Sequence, residues 1–356
     1  MRVLHVASGR EWRGGQRQTW LLARGLAGLG IEQRLVTRGE SELARRAADS
    51  GVTVVPARWR AGLDPRALAS LVRAARQADI LHAHDSHSVT LAAAASAFTN
   101  RPFIATRRMT RPLRNAIPWR RAERVIAISG AVRESLVESG VSADDIVVVA
   151  PGIDVEETAS TTPADWSSIP GIPPGAFVVV AVSALTEEKG IDVLIDAMAD
   201  SRLLDGRVHC VIAGAGPEMG VLALRASAHQ PPGRVHFLGQ ISDPLPVIAA
   251  AGALVMPSRE EAFGSTILDA LALGVPVIGS NVGGIPEALA EGGGVTFPSG
   301  DAASLAGEIA ALWGNRSRWE SLSVGGRRAA PQFGLEGMVN RTLAVYRSVM
   351  ERVERQ

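Results

Sequence analysis

Cysteine occurs once in the 356 residues, at position 210, so no disulfide can close within the chain and no cysteine-based metal cluster can be built from it. Cys210 sits inside the apolar run Val208–Ala213, where a thiol behaves as a small core side chain. Lysine is equally scarce: Lys189 is the sole lysine among 37 basic residues, and every other cation is an arginine. Charge of one sign is lacking too. The formal net charge is +1, which excludes wholesale nucleic-acid binding and leaves any electrostatic function to local clusters. No apolar run approaches the roughly 20 residues needed to cross a bilayer. The opening Met1–Ala7 reads as a short strand and not as a signal peptide. The expectation is a cytoplasmic protein with no nucleic-acid partner, in peripheral contact at most with the inner face of the membrane.

What is present is a repeated alternation. The length exceeds one typical core, so two domains are expected. In the first half, short apolar runs (Val3–Ala7, 34–37, Val52–Val55, Ile80–Ala83, 103–106, Val125–Ile128, Ile146–Val149) alternate with helical patterns such as 18–29, 65–76 and 131–139. A second series runs through Phe177–Val182, Val208–Ala213, 235–238, Ala253–Met256, 275–278 and 295–297. Phe177–Val182 is continuously apolar, as a strand buried on both faces requires. Each series predicts a parallel sheet covered by helices, with ligands gathered at the carboxyl ends of the strands. The stretch 158–175, rich in Thr, Ser, Pro and Gly, reads as the linker. A final helix is expected over about 335–355 with Leu343, Val345, Tyr346 and Val349 on its docking face.

The stretch from Pro257 to Glu287 carries the chemistry. A buried strand closes at Pro257, a loop holding Glu260 and Glu261 follows, and a helix begins near Gly264 and ends at Gly274. The backbone N–H groups of Gly264, Ser265 and Thr266 stand at that helix N-terminus, a seat for phosphate, and Gly264 permits close approach. Glu261 on the loop and Asp269 one turn into the helix can accept hydrogen bonds from hydroxyls on either side of a diphosphate. That pattern fits a nucleotide sugar.

Other strand ends offer candidates. After the first strand comes Ser8–Gln16, in which Gly14 and Gly15 let a loop pass close to a ligand before the helix starts at Gln16. The fourth strand ends in His82-Ala83-His84-Asp85-Ser86-His87; without a rigid helical His spacing, it reads as a polar acceptor-binding or proton-handling end, or as a loop cap, more than as a metal site. From the fifth strand end, seven arginines fall within 107–124, opposed only by Glu123; the cluster is either a solvated basic face or a seat for an anionic lipid-linked acceptor or the inner leaflet. In the second half, Ser183–Gly190 places Lys189 where it can reach a diphosphate as a mobile point charge, and Ala213–Glu218 forms a glycine turn.

Together these segments resemble the family 4 glycosyltransferases of the GT-B fold. The signature is Glu261, seven residues, an acid at Asp269, then Gly274-Val275-Pro276-Val277 and Gly283-Gly284-Ile285-Pro286-Glu287, supported by Pro151-Gly152-Ile153-Asp154, Gly214–Glu218 and Arg234–Gly239. The resemblance implies an α/β protein of two Rossmann-like domains whose parallel sheets face across a cleft. Residues 1–154 would form the acceptor-binding domain and 155–334 the nucleotide-sugar domain, with the last helix, about 335–356, packing back on the first.

The resemblance also implies a retaining transfer of a sugar from a nucleotide diphosphate sugar to a glycan or lipid-linked acceptor, such as a cell-envelope or lipopolysaccharide intermediate, with no cofactor and no protein-bound metal. Glu261 would meet the donor sugar, Lys189 the diphosphate, Asp269 the ribose and Gly239 the base; Phe263, Gly264, Ser265 and Thr266 would line the donor seat. Gly14, Gly15, His84, Asp85 and Arg108 would complete the site when the domains close. Three positions depart from the family: Asp269 replaces a Glu, Arg108 stands where many members have a His, and Ala184 replaces an Arg that meets the diphosphate, a contact of about 1.5–3 kcal/mol. Arg259 or an arginine of the first domain is the expected substitute. The rival readings are a nucleotide-sugar-binding protein without turnover and a nucleotide-sugar epimerase.

Overall fold

The computed structural model describes residues 1–59, 64–203, 206–228 and 233–355. The chain divides into two compact units, Met1–Gly152 with Gly334–Gln356, and Ile153–Phe333. Within the first, the strands are β1 (Arg2–Val6), β2 (Glu32–Thr37), β3 (Thr53–Pro56), β4 (Ile80–Ala83), β5 (Phe103–Arg107), β6 (Arg124–Ala127) and β7 (Ile146–Val148). All pair in parallel in the order β3-β2-β1-β4-β5-β6-β7. The second unit holds β8 (Phe177–Val182), β9 (Val208–Ala213), β10 (Val235–Gly239), β11 (Ala253–Met256), β12 (Val277–Ser280) and β13 (Gly294–Phe297), again parallel, in the order β10-β9-β8-β11-β12-β13. The strand runs read from the sequence recur within one or two residues of these bounds.

Both sheets are Rossmann-like, and both reverse their winding at one point: between β1 and β4 in the first, between β8 and β11 in the second. Helices leaving neighbouring strands at such a point go to opposite faces of the sheet, which opens a crevice above the strand ends. The topology alone therefore places ligand sites at the loops after β1 and β4, and after β8 and β11.

Burial explains why these runs are strands. Val178, Val179, Val180 and Ala181 of β8 are all buried, as are all six residues of β9, Cys210 included; burial pushes its thiol far up and leaves it inert. The helix Ile191–Met198 lays Leu194, Ile195 and Met198 against this sheet, where Leu305, Ile309 and Leu312 of the helix Ala302–Trp313 join them.

In the first unit the last helix, Leu335–Glu354, packs Met338, Val339, Leu343, Val345, Tyr346 and Val349 against Val3, Leu21, Leu22, Leu26, Ile80 and Ile104. Gln356, the end of the range expected for that helix, lies outside the described residues.

Two expectations are corrected. The supposed linker is anchored: a short helix, Val155–Ala159, opens it, Ala164 N–H bonds to the carbonyl of Pro246 at 2.9 Å, the Trp166 indole donates to the carbonyl of Ala250 at 2.8 Å, and Ile172 is buried. Its sparse apolar residues carry no period, which is why its packing is illegible in the sequence. The first helix begins at Gly14, so the glycine pair forms its first turn and not a preceding loop.

Candidate functional site

In the second unit, the loops at the switch point are stitched by backbone bonds. Arg259 N–H and Glu260 N–H both donate to the carbonyl of Glu188, at 2.8 and 3.2 Å. Gly190 makes that approach possible: it has φ +62°, and a Cβ there would lie 2.0 Å from the carbonyl oxygen of Pro257. The result brings Lys189 and Glu261 together, with Nζ 2.8 Å from Oε2 and both side chains largely but not wholly covered. Glu261 Oε1 also accepts from the N–H of Ala262 at 3.1 Å.

The Glu261 loop is held from below. Gly283, at φ +55°, passes so close to the carbonyl of Glu261 that a Cβ would be 1.6 Å from its oxygen, and Gly284 N–H donates to that oxygen at 3.3 Å. The hydroxyl of Ser280 donates to the carbonyl of Ser258 at 2.6 Å. The turn Gly283–Glu287 is thus the support of the Glu261 loop, a role that motif matching does not reveal. The glycine turn after β9 does similar work. Gly214 and Gly216 pack on the carbonyls of Ser183 and Leu185, and Gly214 N–H donates to the carbonyl of Gly239 at 2.8 Å.

Beyond Glu261 stands the helix Ser265–Leu273, entered through Gly264 at φ +82° and left through Gly274 at φ +69°. Its N-terminus has no side-chain cap, and Ser265 and Thr266 are half-buried there. Unpaired N–H groups at the positive end of a helix suit a phosphate. In the nearby Ser183–Lys189 loop, the hydroxyls of Ser183 and Thr186 are buried without a partner among the described residues, two further polar groups that the sequence reading passed over.

Several assigned residues fall elsewhere. Phe263 is 1% exposed and packs edge-on to Phe333 at 5.7 Å, so its side chain packs in the core. Asp269 is 0% exposed in the ligand-free chain. Arg259, the expected substitute for the arginine missing at 184, makes a two-pronged ion pair with Asp192 at 2.7 Å for each contact. That pair holds Asp192 below its usual range and occupies the guanidinium. Gly239 closes β10 at φ +66°.

In the first unit, β1 and β4 end side by side. Asp85 caps the helix Ser86–Thr99 through the N–H of Ser88 at 2.9 Å. It also accepts from the Ser8 hydroxyl at 2.6 Å and the Ser8 N–H at 2.7 Å. Asp85 therefore clamps the two strand ends together. His5, His82 and His84 form a buried cluster in which one ring nitrogen of each lies within 4.8 Å of the others. His82 uses both nitrogens, on the Tyr346 and Thr106 hydroxyls at 2.6 Å each, and His5 uses both, on His84 at 2.9 Å and Gln33 at 3.0 Å. Only Nδ1 of His84 remains without a partner among the described residues. Desolvation lowers His5 to about 4 and takes His82 and His84 well below the usual histidine range, so all three are neutral at pH 7. As neutral rings they accept or donate hydrogen bonds, and each ring's role is set by its tautomer. His87 is exposed on the following helix, apart from the cluster.

The arginine run separates into different roles. Arg107 is a scaffold residue, donating to the carbonyls of Met109 and Arg111 and to the Ser86 hydroxyl, with Trp119 beneath it. Arg124 pairs with Asp145 at 3.2 Å. Arg108 crosses the first turn of the helix Gly14–Gly28, where a Cβ on Gly15 would touch its Cδ at 3.5 Å.

Two parallel Rossmann-like sheets, each with a polar constellation at its switch point, place the protein among the α/β folds that bind ligands at their strand ends. Comparisons with known proteins make the class specific. The family model for group 1 glycosyl transferases matches residues 164–328, and that for glycosyltransferase family 4 matches residues 12–157. A D-inositol 3-phosphate glycosyltransferase of Catenulispora acidiphila is 31% identical over 65% of this chain. The match spans 58% of that relative's length, and 51% of a similar enzyme from Jonesia denitrificans. An alpha-maltose-1-phosphate synthase of Mycobacterium tuberculosis is 28% identical over 78% of this chain and 81% of its own. Among solved structures, Anabaena HepE in complex with UDP and glucose superposes with a TM-score of 0.87 at 21% identity, covering 98% of this chain and 100% of HepE. The chain belongs to the group 1, or family 4, glycosyltransferases and has their GT-B fold.

Proposed function

We propose that the protein transfers a glycosyl group from a nucleoside diphosphate sugar to an acceptor hydroxyl with retention of anomeric configuration, the second unit holding the donor and the first the acceptor. The observation that carries this reading is the Lys189–Glu261 pair, 2.8 Å apart at the switch point of the second sheet and followed by the uncapped helix Ser265–Leu273. A diphosphate seated at that N-terminus is neutralised by Lys189 and by the N–H groups of Ser265 and Thr266. Charge developing on it as the glycosidic bond breaks is met by donors already in place. Glu261, anchored by its backbone and by Lys189, accepts a hydroxyl of the transferred sugar. The bond from the anomeric carbon to the phosphate oxygen breaks, the acceptor oxygen bonds to that carbon on the same face, and the acceptor proton passes to the departing phosphate. UDP and UDP-glucose in structures of HepE favour a uridine nucleotide.

The acceptor proposed is a glycan or lipid-linked intermediate of the cell envelope. Exposed Met109 and Ile117, 48% and 67% accessible among the arginines of 107–124, suit peripheral contact with an anionic leaflet. No helix among the described residues is long and apolar enough to cross a membrane. Co-sedimentation with phosphatidylglycerol vesicles, reduced by Ile117→Asp, is the expected result; equal binding by both proteins would remove the membrane element.

The deciding experiment is a UDP-sugar transfer assay on Glu261→Gln alongside UDP titration. Transfer should fall by about a hundredfold or more while UDP affinity changes by only a few-fold, since the lost interaction is with the sugar in transfer. Full transfer by that variant would sink the assignment.

A further inference from the structure

The first unit contains a cation and a hydrogen-bond acceptor without a hydrogen-bond partner among the described residues. Arg108 is half-buried and its Nε is enclosed, yet it has no hydrogen bond or ion pair among the described residues. Asp85, the carboxylate whose charge acts on it, is engaged by Ser8 and Ser88. Burial brings the Arg108 guanidinium down to about 10, so it stays a cation at neutral pH. Beneath its side chain lies the start of the helix Gly14–Gly28, which has no side-chain cap and no acidic residue in its first turn.

The second group is His84, 4% exposed, whose tautomer is set by a chain of bonds. Gln33 Nε2 donates to the carbonyl of Ala23 at 3.0 Å, which turns its Oε1 towards His5. The His5 Nε2–H must then donate to Gln33, leaving Nδ1 of the neutral ring as an acceptor. His84 therefore donates from Nε2 to His5 at 2.9 Å, and its own Nδ1 carries a bare lone pair. That nitrogen is enclosed and has no partner among the described residues. A buried acceptor left unmatched costs stability unless a ligand supplies the donor.

We propose that the carboxyl edge of the first sheet binds a hydroxylated anion, a sugar or polyol bearing a phosphate or carboxylate. Arg108 and the first-turn N–H groups of the helix Gly14–Gly28 take the oxyanion, and Nδ1 of His84 accepts from a neighbouring hydroxyl. The inference rests on the glycosyltransferase reading and narrows its substrates. The anion arrives either on the acceptor or on a uronic-acid donor. A neutral sugar would leave Arg108 without a hydrogen-bonded counter-ion, whereas an oxyanion and an adjacent hydroxyl match both orphan groups at once.

The test is calorimetric titration of the full chain with glucose 1-phosphate and inositol 1-phosphate against glucose and inositol, and with UDP-glucuronate against UDP-glucose. The wild type should bind an anionic probe roughly 10- to 100-fold more tightly than its neutral counterpart. Arg108→Gln should erase that preference, Arg108→Lys should keep part of it, and UDP affinity should stay within about twofold in both. His84→Gln should weaken the same probe without altering the anionic preference of Arg108. Preference among the phosphates assigns the anion to the acceptor; preference for UDP-glucuronate assigns it to the donor. No preference in the wild type, or one that Arg108→Gln leaves intact, overturns the proposal. Failure of UDP to bind would fall on the donor reading alone, because the phosphate probes are read without it.

Discussion

Lys189 and Glu261 each occupy a position where a charge is expensive without the other. Their separation of 2.8 Å and their partial cover mean that neither is a freely solvated ion. A pair in such a setting is worth more than an exposed one, while removing a single partner strands the other. Lys189→Ala should therefore weaken UDP binding by about tenfold or more and also loosen Glu261. In a double-mutant cycle with Glu261→Gln, the losses of transfer should fall short of additive; strictly additive losses would show that the two residues act independently. Lys189 was legible as the chain's sole lysine before a helix, and Glu261 as the first acid of a motif. The burial of Asp269 and Phe263 was not legible, because helical spacing states which residues share a face, whereas the packing of neighbouring elements decides which face is inside.

At the scale of elements, the donor-side loops depend on glycines that carry no chemistry. Gly190 and Gly283 both have left-handed backbones, and a methyl group on either would overlap a carbonyl oxygen, of Pro257 in one case and Glu261 in the other. Alanine at either position costs roughly 1–2 kcal/mol in backbone conformation alone, before the overlap is relieved by moving the Glu261 loop. Gly283→Ala should lower the melting temperature and abolish the UDP-induced thermal shift together. Retention of the shift at full size would show that the turn Gly283–Glu287 does not position the loop. The strands themselves were readable because a parallel strand buried on both faces must be continuously apolar. The stretch 158–175 was not, since Trp166 and Ile172 are isolated anchors in a polar sequence.

For the whole molecule, the first unit is closed by residues from the end of the chain. Six apolar side chains of the helix Leu335–Glu354 lie in its core, and at roughly 1.5–3 kcal/mol each their burial is worth on the order of 10 kcal/mol, comparable with the full stability of a domain. Deleting residues 334–356 should leave the first unit unfolded by circular dichroism. Tyr346→Phe is the gentler test: it leaves Nδ1 of buried His82 without its partner and should cost about 1–3 kcal/mol in denaturant melts.

Stability should also depend on pH in a definite direction. His5, His82 and His84 are held neutral in the folded chain, with His5 lowered to about 4, and His209 and His236 of the second unit are lowered as well. The unfolded chain takes up these protons near pH 6.5, so it binds more protons than the folded chain below that value. Stability is complete above about 6.5 and declines on acidification towards 4, by up to about 1.4 kcal/mol per pH unit for each fully buried histidine. Melts at pH 7.5, 6.5 and 5.5 should show a plateau and then a fall; a flat profile would mean that the rings are charged or exposed in the fold.

The sequence by itself determined the two series of buried strands, the helix that follows Glu261 and its glycine caps, and the family signature, because each rests on local rules: apolar continuity, capping and backbone freedom. Only the tertiary structure decided which groups meet. Lys189 and Glu261 are 72 residues apart and join because β8 and β11 are neighbours at a switch point. Asp85 became a clamp through Ser8, 77 residues away, and His84 acquired a fixed tautomer through His5 and Gln33 on neighbouring strands. Such pairings follow from strand order and burial, quantities that depend on the whole chain having packed, and no local pattern encodes them.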